Sequence, residues 1–553
     1  MYTLLAFAAL LSAPPRDTSD VAAAMRASLD APLLLGARWQ DIADVRVGVQ
    51  ELYAARSWSP LWTTRGRLSP AGKAVLRELG TAHYRGLVAA DYDAERLLAL
   101  ADSLSGRLDE RVGRFDVLLS VAVARYASAL ERGRIDPREL HPTLRLAREP
   151  FETARVLSEL SGSDRPAAVF RALEPSFFQY RRLQSVLVTY RLLAQDSARL
   201  VLPTMPPRLR LGMAYAGASQ LRKLLRLVGD LTESSAIARE AVGDTIYDLP
   251  LVDAVRRFQR RQGFGADGVI GDSTRSRLNR TFGDRVRQIE LTLERWRWLP
   301  RQFDTPPLIV NIPEFRLAAF KGAEDLESET LTLDVVVGTA VKNDTPLLAV
   351  EMTAIQFHPP WNVPTSIMRE EIRPKALKDS TFLERENYEL LRGNTVVPIV
   401  DSNVTRIGYA VRVRQKPGVG NALGRVKFVM PNTEDIYLHD TPSKAHFARV
   451  RRDFSHGCIR VSNPALLAAF LLRDNPRWTR ERVDSMMAGD STLWVPLTKR
   501  IPVYLVYQSA VVRESGETFF FGDVYGHDRS LDRVLRKGYP YVRPQPATVV
   551  TKL

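Results

Sequence analysis

Residues 331–338 read LTLDVVVG, and this stretch decides the fold of the C-terminal half of the chain. Apolar residues occupy every second position and a glycine ends the run, which is typical of a β-strand followed by a turn. Strand-like patterns also occur at residues 436–439 and 503–507. We therefore expect a mostly-β domain over residues 306–510.

The chain before this domain has helical periodicity instead. Leu251, Ala254, Val255 and Phe258 fall at positions i, i+3, i+4 and i+7, the spacing of one helix face. The expected fold class is multidomain α+β, with a helical N-terminal scaffold, a small helical module and the mostly-β domain. The expected boundaries outside the β domain are a scaffold at 20–240, a module at 242–283, a linker helix at 284–305 and a C-terminal tail at 511–553.

The charge balance favours an anionic partner. The 553 residues carry a formal net charge of +15, which suits nucleic acid, an anionic membrane surface or a carboxylate-rich polymer. A general richness in arginine would give the same balance. Because no run of lysine and arginine with interleaved aromatic residues and no nucleic-acid module occurs, we expect no nucleic-acid partner.

The N-terminus resembles an export signal. Residues 1–13 are apolar and end in small residues before Pro14-Pro15-Arg16, although the positive start typical of such signals is missing. We assign residues 1–16 to a signal segment and expect no integral membrane span in the mature chain, because the segment is too short to cross a bilayer.

Cys458, the single cysteine, lies in the stretch Ser455-His456-Gly457-Cys458-Ile459-Arg460. A structural cysteine usually lies among apolar residues, whereas this one has polar and cationic neighbours of the kind that lower a thiol pKa. The backbone N–H of Gly457 lies at a predicted turn before a helix near residues 463–464, where it could stabilise an oxyanion. Arg460 is suited to hold a substrate carboxylate or support the thiolate.

Three histidines are candidate bases for the thiol. His439 ends an apparent strand, which would hold its ring on rigid backbone, so we expect it to be the base. His456 lies two residues from Cys458 and could also reach it, but we expect it to hold the turn. His446 lies in a predicted loop and is expected to be solvated.

Zinc binding and serine catalysis have less support in the sequence than thiol catalysis. The spacing of these histidines and the cysteine matches no familiar zinc pattern, and no Gly-x-Ser-x-Gly motif for a serine nucleophile occurs. We expect no metal and no organic cofactor.

The pattern of His439, fifteen intervening residues, Ser455-His456-Gly457-Cys458 and then Arg460 resembles the signature of the YkuD-type L,D-transpeptidases, which crosslink bacterial peptidoglycan. The resemblance covers most of the chain and points to the large YcbB-type branch. It also rests on segments outside the signature: Gln415-Lys416-Pro417-Gly418, Lys427-Phe428, Tyr437 to Pro442, Pro360 to Pro364, Phe258-Gln259, Asp267-Gly268, Ser59 to Trp62 and Gly133-Arg134-Ile135. Residues 367–423 would be the substrate-capping insertion of this branch, and residues 242–283 a peptidoglycan-binding module.

The resemblance implies a cysteine acyl-enzyme mechanism on tetrapeptide stems that ends in a 3→3 crosslink. Cys458 would be the nucleophile and His439 its proton acceptor and donor, oriented by the backbone carbonyl of Asp440. Tyr437 and Trp361 would wall the cleft, or else simply pack in the core. Arg460, Ser455 and His456 are the remaining expected substrate-binding residues.

The expected partners are anionic peptidoglycan stem peptides, and possible further partners are other cell-wall synthases. The expected location is the periplasm. Two alternatives stay open: an L,D-carboxypeptidase in which water resolves the acyl-enzyme, and a wall-binding scaffold without activity.

Overall fold

The computed structural model describes residues 17–539 apart from 105, 107, 147–149, 197–199, 233–244, 321 and 323–328. The predicted signal segment at 1–16 lies outside the described residues.

The N-terminal half is helical, with one short hairpin formed by β1 (Thr63–Thr64) and β2 (Arg67–Leu68). A long helix, α5, runs through the middle of this region, and most of its residues are buried. The helices of this half are α1 (Asp17–Asp30), α2 (Arg46–Ala55), α3 (Pro70–Gly80), α4 (Ala94–Asp102), α5 (Glu110–Arg132), α6 (Thr153–Gly162), α7 (Pro166–Leu173), α8 (Phe178–Asp196), α9 (Ala218–Leu227), α10 (Leu249–Arg261), α11 (Asp272–Leu278) and α12 (Phe282–Trp296).

Helix α12 is a central packing element, although the sequence suggested a linker at 284–305. Most of its side chains are buried, including the charged Glu294. Glu294 accepts hydrogen bonds from the backbone N–H groups of Arg134 (2.5 Å) and Ile135 (3.3 Å), and it pairs with the guanidinium groups of Arg134 and Arg297. The buried carboxylate therefore joins the N-terminal helices to the rest of the molecule.

The β domain is a sheet that closes on itself. The strand order is β13-β5-β14-β12-β11-β6-β15-β3-β4, and β4 pairs back onto β5. The strands of this sheet are β3 (Leu308–Asn311), β4 (Arg316–Ala319), β5 (Leu331–Gly338), β6 (Leu348–Phe357), β11 (Val426–Val429), β12 (Leu438–His439), β13 (Asp453–Ser455), β14 (Ile459–Val461) and β15 (Leu493–Val506). Helices α17 (Pro464–Leu471) and α18 (Arg480–Ala488) pack beside it.

The region of the predicted capping insertion at 367–423 forms a small unit with its own apolar core. A four-stranded sheet runs in the order β7-β10-β8-β9, built from β7 (Trp361–Asn362), β8 (Tyr388–Arg392), β9 (Thr395–Val397) and β10 (Arg412–Gln415). Short helices cover it: α13 (Thr365–Ile367), a π-helical turn (Met368–Ile372), α14 (Arg373–Lys378), α15 (Phe382–Arg385) and α16 (Asp401–Val404).

The segment predicted to be a tail, 511–553, is folded as far as it is described. It contains the hairpin β16 (Ala510–Val512) and β17 (Thr518–Phe520) and helix α19 (His527–Leu535). Leu531 is fully buried in the β-domain core, so this segment belongs to the folded molecule.

The predicted fold class is confirmed: a helical N-terminal half, a small helical module and a mostly-β C-terminal domain. The module shares one apolar core with β3, β4 and β15 rather than having one of its own. None of the helices in the described ranges combines the length and the apolar character that a membrane crossing requires.

Candidate active site

The register of two neighbouring strands builds the site. Strands β12 and β14 are parallel, with Leu438 opposite Ile459 and His439 opposite Arg460. Since side chains alternate between the faces of a strand, Tyr437 and His439 share a face with Cys458 and Arg460. Leu438 and Ile459 point to the other face and are fully buried in the core. The predicted nucleophile and base thus come together although they are far apart in sequence.

Hydrogen bonds shape the turn that carries Cys458. The hydroxyl of Ser455 donates to the carbonyl of Cys458 at 2.6 Å and accepts from the N–H of Gly457 at 3.2 Å. Gly457 has φ +112°, which L side chains rarely adopt, so glycine is required there. The hydroxyl of Ser455, predicted to bind substrate, is engaged within the turn. The predicted oxyanion donor, the N–H of Gly457, already has this hydroxyl as a partner.

The helix predicted to begin near residues 463–464 is confirmed, and a short strand lies between it and the cysteine turn. Residues Ile459–Val461 form β14, and only then does the helix Pro464–Leu471 begin. Asn463 caps that helix by accepting a hydrogen bond from the N–H of Leu466 at 3.1 Å. The strand is what places Arg460 beside His439.

The surroundings of the Cys458 thiol differ from the prediction. Burial raises the pKa of Cys458 above its usual value, while the backbone N–H and the hydroxyl of Tyr437 and the charge of Lys427 act in the opposite direction. The prediction that polar and cationic neighbours lower this pKa is therefore wrong, because burial outweighs them. The thiol donates to the carbonyl of Asp435 at 3.6 Å.

His439 is buried and oriented by its neighbour. Its Nδ1 makes a short hydrogen bond with the backbone carbonyl of Asp440, which leaves Nε2 as the proton acceptor of the neutral ring. Burial and the nearby charge of Arg460 lower the pKa of His439 to about 3, although the carbonyl contact acts in the other direction. The ring is consequently neutral at physiological pH.

The carboxylate of Asp440 is held in turn by its surroundings. One oxygen accepts from the N–H of Arg425 at 2.9 Å, and the other pairs with Lys444 at 2.5 Å. Gly424 lies so close that an added Cβ would be 2.4 Å from this carboxylate. The carbonyl that orients His439 therefore belongs to a fixed segment.

Arg460 has a free donor in the site. Its Nη1 lies 3.2 Å from Nδ1 of His446, and its buried Nε has no hydrogen-bond partner among the described residues. Burial lowers the pKa of this guanidinium, while the charge of Cys458 raises it. His446, predicted to be a solvated loop residue, is half-buried in a short 3₁₀ helix (Lys444–Ala448) and contacts Arg460 and the ring of Phe454.

The candidate site opens into a cavity of about 360 Å³ beneath the insertion. All of Trp361, Tyr437, His439, Ser455, His456, Cys458 and Arg460 line this cavity. The insertion contributes charges of both signs: Glu371, Lys375 and Glu386. His456 pairs with Glu371 at 2.5 Å, which ties the cysteine turn to the insertion. Trp361 hydrogen-bonds the hydroxyl of Tyr437, so both predicted cleft residues contact the site.

Metal-ligating groups do not gather at this site. Across the described ranges, no three or more histidine, cysteine, aspartate and glutamate side chains group in a way that could hold an ion.

Comparison with known proteins bears directly on this geometry. Residues 307–478, which include strands β12 and β14 and the residues that line the cavity, match the YkuD family, described as the L,D-transpeptidase catalytic domain. The chain carries an L,D-transpeptidase catalytic domain. Residues 48–187 match a family described as a scaffold domain. Residues 217–278 match a "Putative peptidoglycan binding domain", which starts earlier than the predicted module at 242–283.

A curated relative and a solved structure illustrate the whole-chain comparisons. A "Putative L,D-transpeptidase" of Haemophilus influenzae is 26% identical over 485 residues, which cover 87% of this chain and 78% of that protein. A crystal structure of a "Fused Zn-dependent amidase/peptidase/peptodoglycan-binding domain-containing protein" from Clostridium acetobutylicum is 12% identical. The match to it has a TM-score of 0.16 and covers 55% of this chain and all of that one.

Three residues without a predicted role also contact the surroundings of the site. Thr345 donates its hydroxyl to the carbonyl of Gly457 at 2.7 Å and accepts from the N–H of Gly338 at 2.8 Å. Tyr525 donates to the carbonyl of Gly338 at 2.6 Å. Lys427 lies 3.8 Å from the centre of the Tyr437 ring. Lys427 belongs to the Lys427-Phe428 segment on which the resemblance rests, and the structure places it opposite His439 on the neighbouring strand β11.

Proposed function

We propose that this chain is a periplasmic L,D-transpeptidase of the YcbB-type branch that forms 3→3 crosslinks in peptidoglycan through an acyl-enzyme on Cys458. The observation that carries the proposal is the shared face of Tyr437, His439, Cys458 and Arg460 on two parallel strands inside one cavity. The peptidoglycan-binding match supports the polymer as substrate, and no organic cofactor or metal is needed for the chemistry.

The acylation step transfers one proton and exchanges one bond. Nε2 of neutral His439 accepts the proton of the Cys458 thiol as the sulfur attacks the carbonyl carbon between the L- and D-centres of a donor tetrapeptide stem. The C–N bond to the terminal D-alanine then breaks, and the proton on His439 passes to the leaving amine. A thioester to Cys458 and free D-alanine result.

The second step resolves this thioester. The side-chain amine of a diaminopimelate on a second stem attacks the thioester carbon, His439 accepts a proton from that amine, and the C–S bond breaks. The thiol is regenerated when the proton returns to sulfur. The product is the 3→3 crosslink.

The site residues have distinct roles in this scheme. The hydroxyl and backbone N–H of Tyr437 donate to the sulfur and stabilise the thiolate as it forms. Arg460 has an unpaired Nε with which to hold a stem carboxylate. The N–H of Gly457 would exchange its hydrogen bond to the Ser455 hydroxyl for one to the oxyanion of the tetrahedral intermediate.

The test is a crosslinking assay with purified disaccharide-tetrapeptides. The wild-type chain should give a dimer lacking one D-alanine by mass spectrometry, and Cys458→Ala should give none. Tripeptide and free D-alanine without a dimer would indicate an L,D-carboxypeptidase instead. Equal products from wild type and Cys458→Ala would contradict the proposal, and a carbapenem that leaves the intact mass unchanged would favour an inactive scaffold.

A further inference from the structure

A second and larger cleft, about 1490 Å³, lies between the peptidoglycan-binding module and the catalytic domain. The module side includes Arg260 and Phe264, and the catalytic side includes Phe315, Arg451 and Arg452. Leu209 pairs with Ile270 through two backbone hydrogen bonds, which places Arg208 and Arg210 at the same cleft.

Several arginines of this cleft have no carboxylate partner among the described residues. The side chains of Arg208, Arg210 and Arg260 are exposed and make no hydrogen bond or ion pair with the part of the chain that the structure describes. Arg277 stacks on the ring of Phe264 at 5.5 Å, and its buried Nη1 has no partner in the same described part. Burial and neighbouring arginines lower the pKa of Arg277 to about 10, so it stays charged at neutral pH.

The carboxylates of the cleft, in contrast, are already engaged by neighbours. Each one accepts a hydrogen bond or forms an ion pair within the chain. Because six arginines and four carboxylates line the cleft, its net charge is positive. These pairs are Asp267 with Gln259 (2.9 Å), Asp272 with Arg275, Glu314 with Asn311 (2.9 Å), and Asp523 with Tyr507 (2.7 Å).

A buried amide at the cleft also lacks a partner. Gln262 is only 2% exposed, and its Nε2 has no hydrogen bond within the described ranges. A buried donor without a partner destabilises the fold, because its lost bond to water is not replaced. A ligand oxygen in the cleft would satisfy it.

The cleft is connected to the active site by one short strand. Arg451 and Arg452 line the cleft, the strand Asp453–Ser455 follows, and Ser455 lines the active-site cavity. Three extended residues span about 10 Å. A polymer held in the cleft is therefore kept close to Cys458, which raises the local concentration of its stems.

We propose that this cleft binds the carboxylate-bearing peptide stems of peptidoglycan, with Arg208, Arg210 and Arg260 donating to the carboxylates and Gln262 and Arg277 at its base. The inference rests on the proposed function, because it names the part of the polymer that the module and the catalytic domain hold together. Guanidinium groups match carboxylates in geometry and charge, whereas the sugar backbone offers mainly neutral hydroxyl and amide groups.

The test measures binding of the full chain to two insoluble polymers: intact peptidoglycan sacculi, and glycan strands from which an amidase has removed the stems. The cleft variant is Arg208→Gln/Arg210→Gln/Arg260→Gln. The matched control is Arg77→Gln/Arg165→Gln/Arg171→Gln, which removes three exposed arginines from the scaffold helices and loops and changes the net charge equally. Thermal unfolding midpoints establish that both variants fold.

We expect the cleft variant to bind sacculi about tenfold more weakly than wild type, because three exposed ion pairs contribute about 0.5 kcal/mol each. The control should bind like wild type, and wild type should bind the stripped glycan as weakly as the cleft variant binds sacculi. Equal binding by wild type and the cleft variant, or equal wild-type binding to both polymers, would overturn the inference. The crosslinking assay on soluble substrates judges the proposed function separately, since it needs only the wild-type chain.

Discussion

His439 and Arg460 lie directly opposite each other on the parallel strands β12 and β14. Burial and the charge of Arg460 lower the pKa of His439 to about 3. Burial meanwhile raises the pKa of Cys458. The resting pair is therefore a neutral thiol and a neutral imidazole, and the proton moves only when substrate is attacked.

The first prediction concerns the pH dependence of thiol alkylation. Iodoacetamide reacts with the thiolate, so the alkylation rate of Cys458 should keep rising with pH through about 9, above the usual thiol pKa of about 8.5. The measurement is the rate of adduct formation by intact mass between pH 5 and pH 10. A rate plateau already reached near pH 6 would reveal a thiolate–imidazolium pair and contradict this account.

The titration of His439 should make the stability of the folded chain depend on pH in a defined direction. Because the folded-state pKa of His439 is below its unfolded value of about 6.5, the folded chain binds this proton less readily. The stability from the neutral ring is fully present above pH 6.5 and is lost as the pH falls towards 3. His439→Asn should remove this part of the acid sensitivity, as measured by thermal unfolding between pH 4 and pH 7. If the difference in unfolding midpoint between wild type and His439→Asn stayed the same from pH 4 to pH 7, this prediction would be contradicted.

The hydroxyl of Tyr437 should matter to acylation. Tyr437→Phe removes the donor to the Cys458 sulfur, and a hydrogen bond to a charged group contributes about 1.5–3 kcal/mol. We expect acylation by a tetrapeptide to slow by roughly 10- to 100-fold, measured in a single turnover. Tyr388→Phe is the matched control, since it removes a hydroxyl from the same cavity and should change the rate less than threefold or so. Equal effects of both substitutions would exclude this role for Tyr437.

Thr345 should hold the cysteine turn in place. Its hydroxyl joins the carbonyl of Gly457 to the N–H of Gly338, and the residue is fully buried. Thr345→Val leaves both groups unsatisfied and should cost about 1–3 kcal/mol of unfolding free energy together with part of the acylation rate. Thr345→Ser keeps the hydroxyl and should restore the rate. Denaturant unfolding and single-turnover acylation check both effects, and no rescue by serine would refute the positioning role.

The buried Glu294 should be important for joining the N-terminal helices to helix α12. Glu294→Gln leaves Arg134 and Arg297 without their counter-charge and should cost about 3–5 kcal/mol. Although burial raises the pKa of Glu294, the two arginines bring it below its usual value, so this stabilisation is present above pH 4.5 or so and is lost at lower pH. Urea unfolding at pH 7 and pH 4 measures it. Glu110→Gln, in an exposed pair with Arg114, should cost less than about 0.5 kcal/mol; an equal cost for both variants would contradict the account.

The local sequence pattern was sufficient to predict the β domain and to select Cys458 and His439 as candidate site residues. The alternation of apolar residues identified β5. The polar turn around Cys458 and the strand that ends at His439 identified two residues that the pairing of β12 with β14 places on one face. The contact of His439 with the carbonyl of Asp440 was expected from the family resemblance, and the structure contains it.

Contacts between distant segments could not be read from the pattern. Thr345 reaches Gly457 across more than a hundred residues, and Tyr525 reaches Gly338 from the segment predicted to be a tail. The raised pKa of Cys458 has the same origin, because the burial that outweighs its polar neighbours in sequence is a property of the folded chain. The linker helix predicted at 284–305 is a helix, α12, but its burial depends on distant partners such as Arg134, which pairs with Glu294.

The most direct test of the central claim is the mass of the enzyme during turnover. The wild-type chain, mixed with a tetrapeptide stem and quenched in acid within the first turnover, should carry one tripeptide acyl group that peptide mapping places on Cys458, with release of one D-alanine. An adduct on another residue, or the same adduct on Cys458→Ala, would contradict the proposal that Cys458 is the nucleophile.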